Sequence, residues 1–395
     1  MSDVTLARRV SLPLLTFYGV GTILGAGIYV LIGEVTLRAR DFAPFSFFVS
    51  AAVASITAYS FARLASRFPK SAGEAAYVSA AFGSPKLAAA IGLAVVVVGS
   101  ISSAVLVRGF AGYFIDLVAL PELLVIGLTL SVITLIAIWG IGESLIVASL
   151  ITVVEIAGLL FVIYAVIDLD SIQLTHFPSA GAIFDHRVAI FFGAFICFYA
   201  FIGFEDIVNL AEETIDPSRV LPLAIGASIA ISTLLYVALS VSSIVFVPQH
   251  EFMHSSAPLV AIVKYKGYSP YLMGILSMVA IMNGALIQII MASRVLYGMG
   301  QQKLFLSVFG KVNPRTRTPV IGTLAIAAVI LLLAAKFPLV ALASATSAIT
   351  LTIFVCVQAA LLTLAVRERS QKKLDFILPT LGIFLNLALL WFGYF

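Results

Sequence analysis

Charge is what this 395-residue sequence most lacks: Asp, Glu, Lys and Arg together make up 11% of it, where soluble chains carry about 25%. Hydrophobic residues fill the difference at 62%, against roughly 45–50% in soluble proteins. A surface facing water cannot be built from so few polar side chains, so a soluble fold is excluded. Cysteine is nearly absent; Cys197 and Cys356 both sit in apolar runs without CxxC spacing, which argues against a disulfide framework and a zinc ribbon. No glycine-rich phosphate loop, Ser/His/Asp arrangement or ATP-binding segment is present, so any transport would be driven by a gradient or by exchange. The net charge of +4 is scattered over loops and forms no basic arm, which removes nucleic acid as an expected partner.

What is present is a succession of long apolar runs. About 20 mostly apolar residues span the hydrocarbon of a bilayer, and eleven such stretches are expected, at about 11–35, 43–65, 86–115, 122–140, 144–167, 188–210, 220–247, 270–297, 319–336, 338–366 and 376–395. Placing the amino terminus in the cytoplasm leaves sixteen of the 23 basic residues inside, six outside and Arg108 within a span, the bias expected of a correctly oriented bundle. The odd count sends the carboxyl terminus outside. The first stretch follows Arg8 and Arg9 but has internal glycines and no convincing cleavage site, so it is expected to be a retained helix and not a signal peptide. The expected partner of most of the surface is the lipid bilayer of the cell membrane.

Two stretches carry interruptions. In the first, Gly21-Thr22-Ile23-Leu24-Gly25-Ala26-Gly27-Ile28-Tyr29 places three glycines in seven residues, where each costs up to about 1 kcal/mol relative to alanine. Close helix packing explains Gly21-xxx-Gly25 equally well. In the sixth, Tyr199-Ala200-Phe201-Ile202-Gly203-Phe204 runs into Glu205 and Asp206 before apolar character resumes. Spans one and six open two successive sets of five, the spacing of inverted repeats whose broken helices meet at the bilayer midplane. The expected fold is therefore an all-α membrane protein with a five-plus-five inverted repeat, the LeuT-like fold, with discontinuous helices 1 and 6. Repeat one covers about 11–167, repeat two about 188–366, and an extra helix about 376–395. A helix break exposes N–H groups that favour an anion and carbonyls that favour a cation, which together match a zwitterionic amino acid.

The sequence resembles the amino acid-polyamine-organocation (APC) superfamily of transporters, especially its cationic-amino-acid-transporter-like and bacterial permease branches. The resemblance rests on GTILGAGIYVLIGEV, RFPKSAGEAAYVSAAFG, FYAFIGFEDIVNLAEETIDPSRVLPLAI, SRVLYGMGQQKLF and NPRTRTPV, and covers nearly the whole chain. It implies that the backbone of Gly25, Ala26 and Gly27 holds the substrate carboxylate. It further implies that the carbonyls of Ile23, Tyr199 and Ile202 accept from the substrate amino group and that the Tyr199 ring covers the site. On this basis Gly27→Val is expected to abolish binding while leaving folding largely intact. Most family members have twelve spans or more, against eleven expected here, which puts any dimer contact made by a twelfth helix in doubt and leaves the oligomeric state open. The implied activity is secondary amino-acid transport by alternating access, with ion-independent exchange as the alternative; the implied protein is not an enzyme and needs no cofactor.

Ionisable groups at membrane depth are expensive and mark function. Glu155, in TVVEIAGLLFVIYA, lies mid-span; by the resemblance, the matching residue in several sodium-independent relatives looks like a lysine that fills a vanished sodium site. As an acid it can bind a proton or a sodium ion, and the proton is preferred; pairing with a buried basic residue is the structural alternative. Arg108 can snorkel to the interface, with Asp116 within reach as a partner. Glu205 is expected to gate or couple, and Glu212 and Glu213 to lie in a solvated loop. His250-Glu251-Phe252-Met253-His254 matches HExxH, which would make the chain a membrane metalloprotease, but Pro248, Ser255, Ser256 and Pro258 leave the required helix poorly supported. No metal is expected.

Overall fold

The computed structural model describes residues 10–25, 27–69, 73–139, 144–168, 179–211, 214–301, 304–313, 316 and 318–394. These residues are almost entirely helical: α1 (Leu12–Leu24), α2 (Ile28–Ala39), α3 (Ala43–Arg67), α4 (Gly73–Phe82), α5 (Pro85–Leu117), α6 (Glu122–Trp139), α7 (Ser144–Val166), α8 (Ala180–Asp185), α9 (Arg187–Cys197), α10 (Pro217–Phe246), α11 (Pro258–Tyr265), α12 (Pro270–Gln301), α13 (Val320–Lys336), α14 (Leu339–Arg367) and α15 (Leu374–Tyr394). Among the described residues the only β pairing is an isolated bridge between Val10 and Thr214. Helix is what this composition dictates, because a helix satisfies its backbone internally where lipid offers no hydrogen bonds. Among the described residues eight stretches are long and apolar enough to cross a membrane, and α1, the body of α6 and α13 are shorter apolar helices. Each stretch expected from hydropathy contains helix.

The packing reads as two copies of one plan. Spans one to five are α1/α2, α3, α5, α6 and α7; spans six to ten are α9 with its continuation, α10, α12, α13 and α14. Moving five spans along converts the α1–α10 contact into α9–α3, α5–α14 into α12–α7, and α5–α13 into α12–α6, and all six are made. The α3–α10 and α5–α12 contacts map onto themselves and are also made. That exchange is the signature of an internal repeat.

Outside the repeats, α15 is fastened to α3 by one carboxylate. Asp375 accepts two hydrogen bonds at 2.8 Å from Arg63, one at 2.7 Å from Tyr59 and one at 2.8 Å from Ser370. Its side chain is 2% exposed, a burial that a charge tolerates only when its lone pairs are met this fully.

Candidate functional site

The first break separates α1 from α2. Gly25 donates its N–H to the Gly21 carbonyl at 2.9 Å, closing the last turn of α1. The next helix starts at Ile28 with Gly27 as its N-cap, and no side chain caps it. Val30 and Leu31 donate to the Gly27 carbonyl at 3.3 and 2.9 Å, and the α2 dipole at the N–H groups nearest the helix start favours a negative ligand. Ala26, named above among the carboxylate-binding residues, lies outside the described residues.

The second break follows α9. Phe198–Phe201 tightens into a 3-10 turn, Ile202 is extended, and Glu205–Leu210 forms a second 3-10 turn. Gly203 makes this possible with φ +126°, a conformation L side chains rarely adopt. A Cβ there would also stand 2.8 Å from the Thr22 carbonyl oxygen.

Two hydroxyls stitch the breaks together, and a third ties the second break to α5. Thr22 shares its proton between the carbonyls of Gly19 at 2.9 Å and Gly203 at 3.1 Å. The Tyr236 hydroxyl from α10 lies 2.7 Å from the Ile23 carbonyl and 3.0 Å from the Ala200 carbonyl. Tyr199 is fully buried; its hydroxyl is 3.0 Å from the Ser102 hydroxyl and donates to the Ser102 carbonyl at 3.2 Å. Of the expected acceptors, Ile23 therefore already takes a bond from Tyr236, and the Tyr199 carbonyl takes the Ile202 N–H at 3.2 Å. Ile202 is 4% exposed, beside the same break.

Gly27 requires a correction. A Cβ on it would stand 2.1 Å from Ala200 Cα, so Gly27→Val pushes apart the two broken helices and disturbs the fold as well as the ligand. The glycine is there for close approach of two backbones. Gly21 is likewise a packing position, since its Cβ would meet the Thr152 hydroxyl oxygen at 2.0 Å.

Glu155 stands on α7 and faces the first break. It is 2% exposed. Its Oε1 lies 3.5 Å from where a Gly25 Cβ would be, with the Ala280 carbonyl 3.2 Å from the same point. Among the described residues the one hydrogen-bond donor to this carboxylate is Asn283 Nδ2 at 3.5 Å, and Oε2 has none. No basic side chain pairs with it among the described residues. Tyr29, at the start of α2, donates to the Glu155 backbone carbonyl at 3.0 Å, so α2 and the acid are mechanically joined. The buried-pair alternative for Glu155 is thereby removed: Arg108 Nη2 lies 2.8 Å from Glu122 Oε1, while Arg108 Nη1 donates to the Ala334 carbonyl. Glu122 is a carboxylate that meets Arg108; the side chain of Asp116, the partner expected from the sequence, lies outside those described.

Glu205 lies in the second 3-10 turn and accepts the Gly203 N–H at 2.9 Å, which stabilises the break directly. Glu212 and Glu213 lie outside the described residues. His250 and Glu251 sit in a 3-10 turn (Gln249–Glu251), with His254 beyond its end. The α-helical turn that HExxH needs to align two histidines is missing, and among the described residues no three metal-binding side chains converge.

Sequence reasoning passed over Thr22, Glu74, Tyr236, Asn283 and Gln288. The last two carried a signal that was available, since a side-chain amide in the middle of an apolar span is costly unless it has work to do.

Two broken helices meeting in a helical bundle define the inverted-repeat membrane fold. The chain belongs to the amino acid permease family, whose described pattern matches residues 10–395. It is 29% identical to the vacuolar cationic amino acid transporter 4 of Arabidopsis thaliana over 91% of this chain and 63% of that one. It is 27% identical to the branched-chain amino acid permease BcaP of Bacillus subtilis over 98% of this chain and 87% of that one. The chain thus spans less than two thirds of the length of its plant relative. In fold it is similar to MhsT in complex with L-phenylalanine, with a TM-score of 0.64 at 14% identity over 99% of both chains. A manganese transporter of Eremococcus coleocola gives 0.65 at 11% identity over 98% of this chain and 89% of that one.

Proposed function

We propose that this protein is a secondary amino-acid transporter of the cell membrane that works by alternating access and couples substrate movement to protons. The observation that carries the reading is the junction of the two breaks: the uncapped start of α2 offers donors for a carboxylate, and the carbonyls around Ile23 and Ile202 offer acceptors for an ammonium. Gly25, Ala26 and Gly27 hold the carboxylate end, Tyr199 closes over the ligand, and Glu205 gates the path beyond.

Glu155 is the proton site. Its unpartnered oxygen at the back of the first break is a place where a proton changes the energy of the surrounding helices, because a neutral acid and a carboxylate favour different degrees of closure around α2. The amino terminus is placed in the cytoplasm, and eleven spans divide into repeats over about 11–167 and 188–366 with an extra helix after them.

Relatives include proteins named for cationic and for branched-chain amino acids, so the test begins with the ligand. Purified protein is scanned by thermal shift against the twenty amino acids, since a ligand that binds the folded state raises its melting temperature. At least one cationic or branched-chain amino acid raises it and enters proteoliposomes; no shift with any of them contradicts the reading.

A further inference from the structure

Beyond the second break lies a group of acids that neither the substrate site nor Glu155 uses. Glu74 from α4 and Glu205 and Asp206 from the sixth span converge on one small cavity of about 20 Å³, room for a single water molecule. The three residues are 5%, 8% and 5% exposed. Glu205 accepts the Gly203 N–H and Asp206 accepts from Gln288 Nε2 at 3.2 Å, and Glu74 and Glu205 each also accept their own backbone N–H. Among the described residues no basic side chain pairs with them. The walls contributed by α5 are Val95 and Val98, α14 contributes Thr350 with two apolar residues, α12 contributes Gln288 and Met291, and α4 adds only the buried Tyr77 phenol near Glu74. No lysine, arginine or histidine is among the residues that line the cavity; the basic residues of the facing helices, Lys86 and Arg108 on α5, Arg294 on α12 and Arg367 on α14, lie outside its lining.

Three ionised carboxylates in such a place would repel one another with no cation to repay their desolvation, and groups so placed keep protons instead. A second observation points the same way. Gln288 Oε1 and the Thr350 hydroxyl, on residues 5% and 2% exposed, both line the cavity and have no hydrogen-bond partner. An orphaned amide oxygen is an acceptor in want of a donor, and a carboxylate cannot supply one. A carboxylic acid can.

We infer that Glu74, Glu205 and Asp206, with Gln288 and Thr350, form a second proton-binding site, separate from Glu155 and on the α4 side of the sixth-span break. The inference rests on the transporter reading only for its consequence. While the bundle is closed on this side the cluster holds its proton; when α4 and the sixth span part, water enters, the carboxylates ionise, and the proton leaves to that side. Ile202 lines both the break and the cavity, so substrate and proton states share a wall.

The test is infrared spectroscopy of the purified full chain for the carbonyl stretch of protonated carboxyl groups, distinguished from other bands by its shift in heavy water. Glu155→Gln is used as the background so that the first proton site is silent. The expected result is a protonated-carboxyl band at neutral pH in E155Q that is lost when Glu74→Gln, Glu205→Gln and Asp206→Asn are added together. Each single replacement reduces or moves the band, which keeps the test valid if the combined variant fails to fold. A band absent from E155Q at neutral pH, or unchanged by all the replacements, overturns the proposal. A band abolished by sodium at constant pH overturns it in another way, by making the cluster an alkali-cation site. The band does not depend on uptake, so its failure leaves the transporter reading standing, and a failure of uptake leaves the band standing.

Discussion

Thr22 reaches from α1 to the carbonyl of Gly203 in the sixth span, 3.1 Å away, and joins the two broken helices at the point where each loses its regular hydrogen bonds. The backbone of Gly203 takes up φ +126° to receive it. Substrate binding and gating at this junction therefore act on both repeats at once, since neither break can move without stretching a bond to the other.

Replacing Gly203 by alanine is expected to destabilise the protein by about 1–3 kcal/mol, because a side chain at that φ is strained and its Cβ meets the Thr22 carbonyl. Gly226→Ala, in α10 where a Cβ meets nothing within 4 Å, is expected to be neutral or slightly stabilising. Thermal melts of the two variants in detergent compare them directly; equal effects would contradict the assignment of strain to Gly203.

Tyr236→Phe removes one hydroxyl and leaves the Ile23 and Ala200 carbonyls without it. Loss of a buried partner costs about 1–3 kcal/mol, so the melt shifts down, and a bound amino acid offsets the loss because its ammonium takes the freed Ile23 carbonyl. The check is the ligand-induced stabilisation in wild type and variant. It is expected to be larger in Y236F, and a smaller value would place the ammonium elsewhere.

Stability should also depend on pH through Glu74. Burial pushes its carboxyl from 4.5 up to about 7, so the folded state holds a proton that the unfolded state has released between those values. A group shifted upward stabilises below its unfolded pKa, and that contribution is lost as pH rises through the folded one. The melting temperature is therefore expected to fall as pH goes from about 4.5 to 7 and to level beyond. Glu74→Gln flattens this part of the profile. A profile unchanged by the substitution contradicts an ionisable, buried Glu74.

Much of this was legible in the chain. Periodic apolar runs and the distribution of lysine and arginine gave the helices, and Gly25, Gly27 and Gly203 marked the breaks, because glycine and acids in apolar spans are expensive. Other features depend on which faces meet. That Gly27 is pressed against Ala200 is a tertiary fact, invisible to a count of glycines. The junction of Tyr236 with Ile23 joins residues 213 positions apart. Glu74 carries no distinguishing signal in the chain; α4 folds it under the sixth span, where it becomes the third carboxylate of a buried cluster.

The most direct test of the account is uptake into proteoliposomes under an imposed pH gradient and, separately, an imposed sodium gradient, for wild type and Glu155→Gln. Glutamine keeps the shape of the protonated acid and cannot release the proton, so it is expected to preserve substrate binding while abolishing both the pH dependence of uptake and accumulation driven by the proton gradient. Wild-type uptake that follows sodium and ignores pH would contradict the account, making Glu155 a cation ligand.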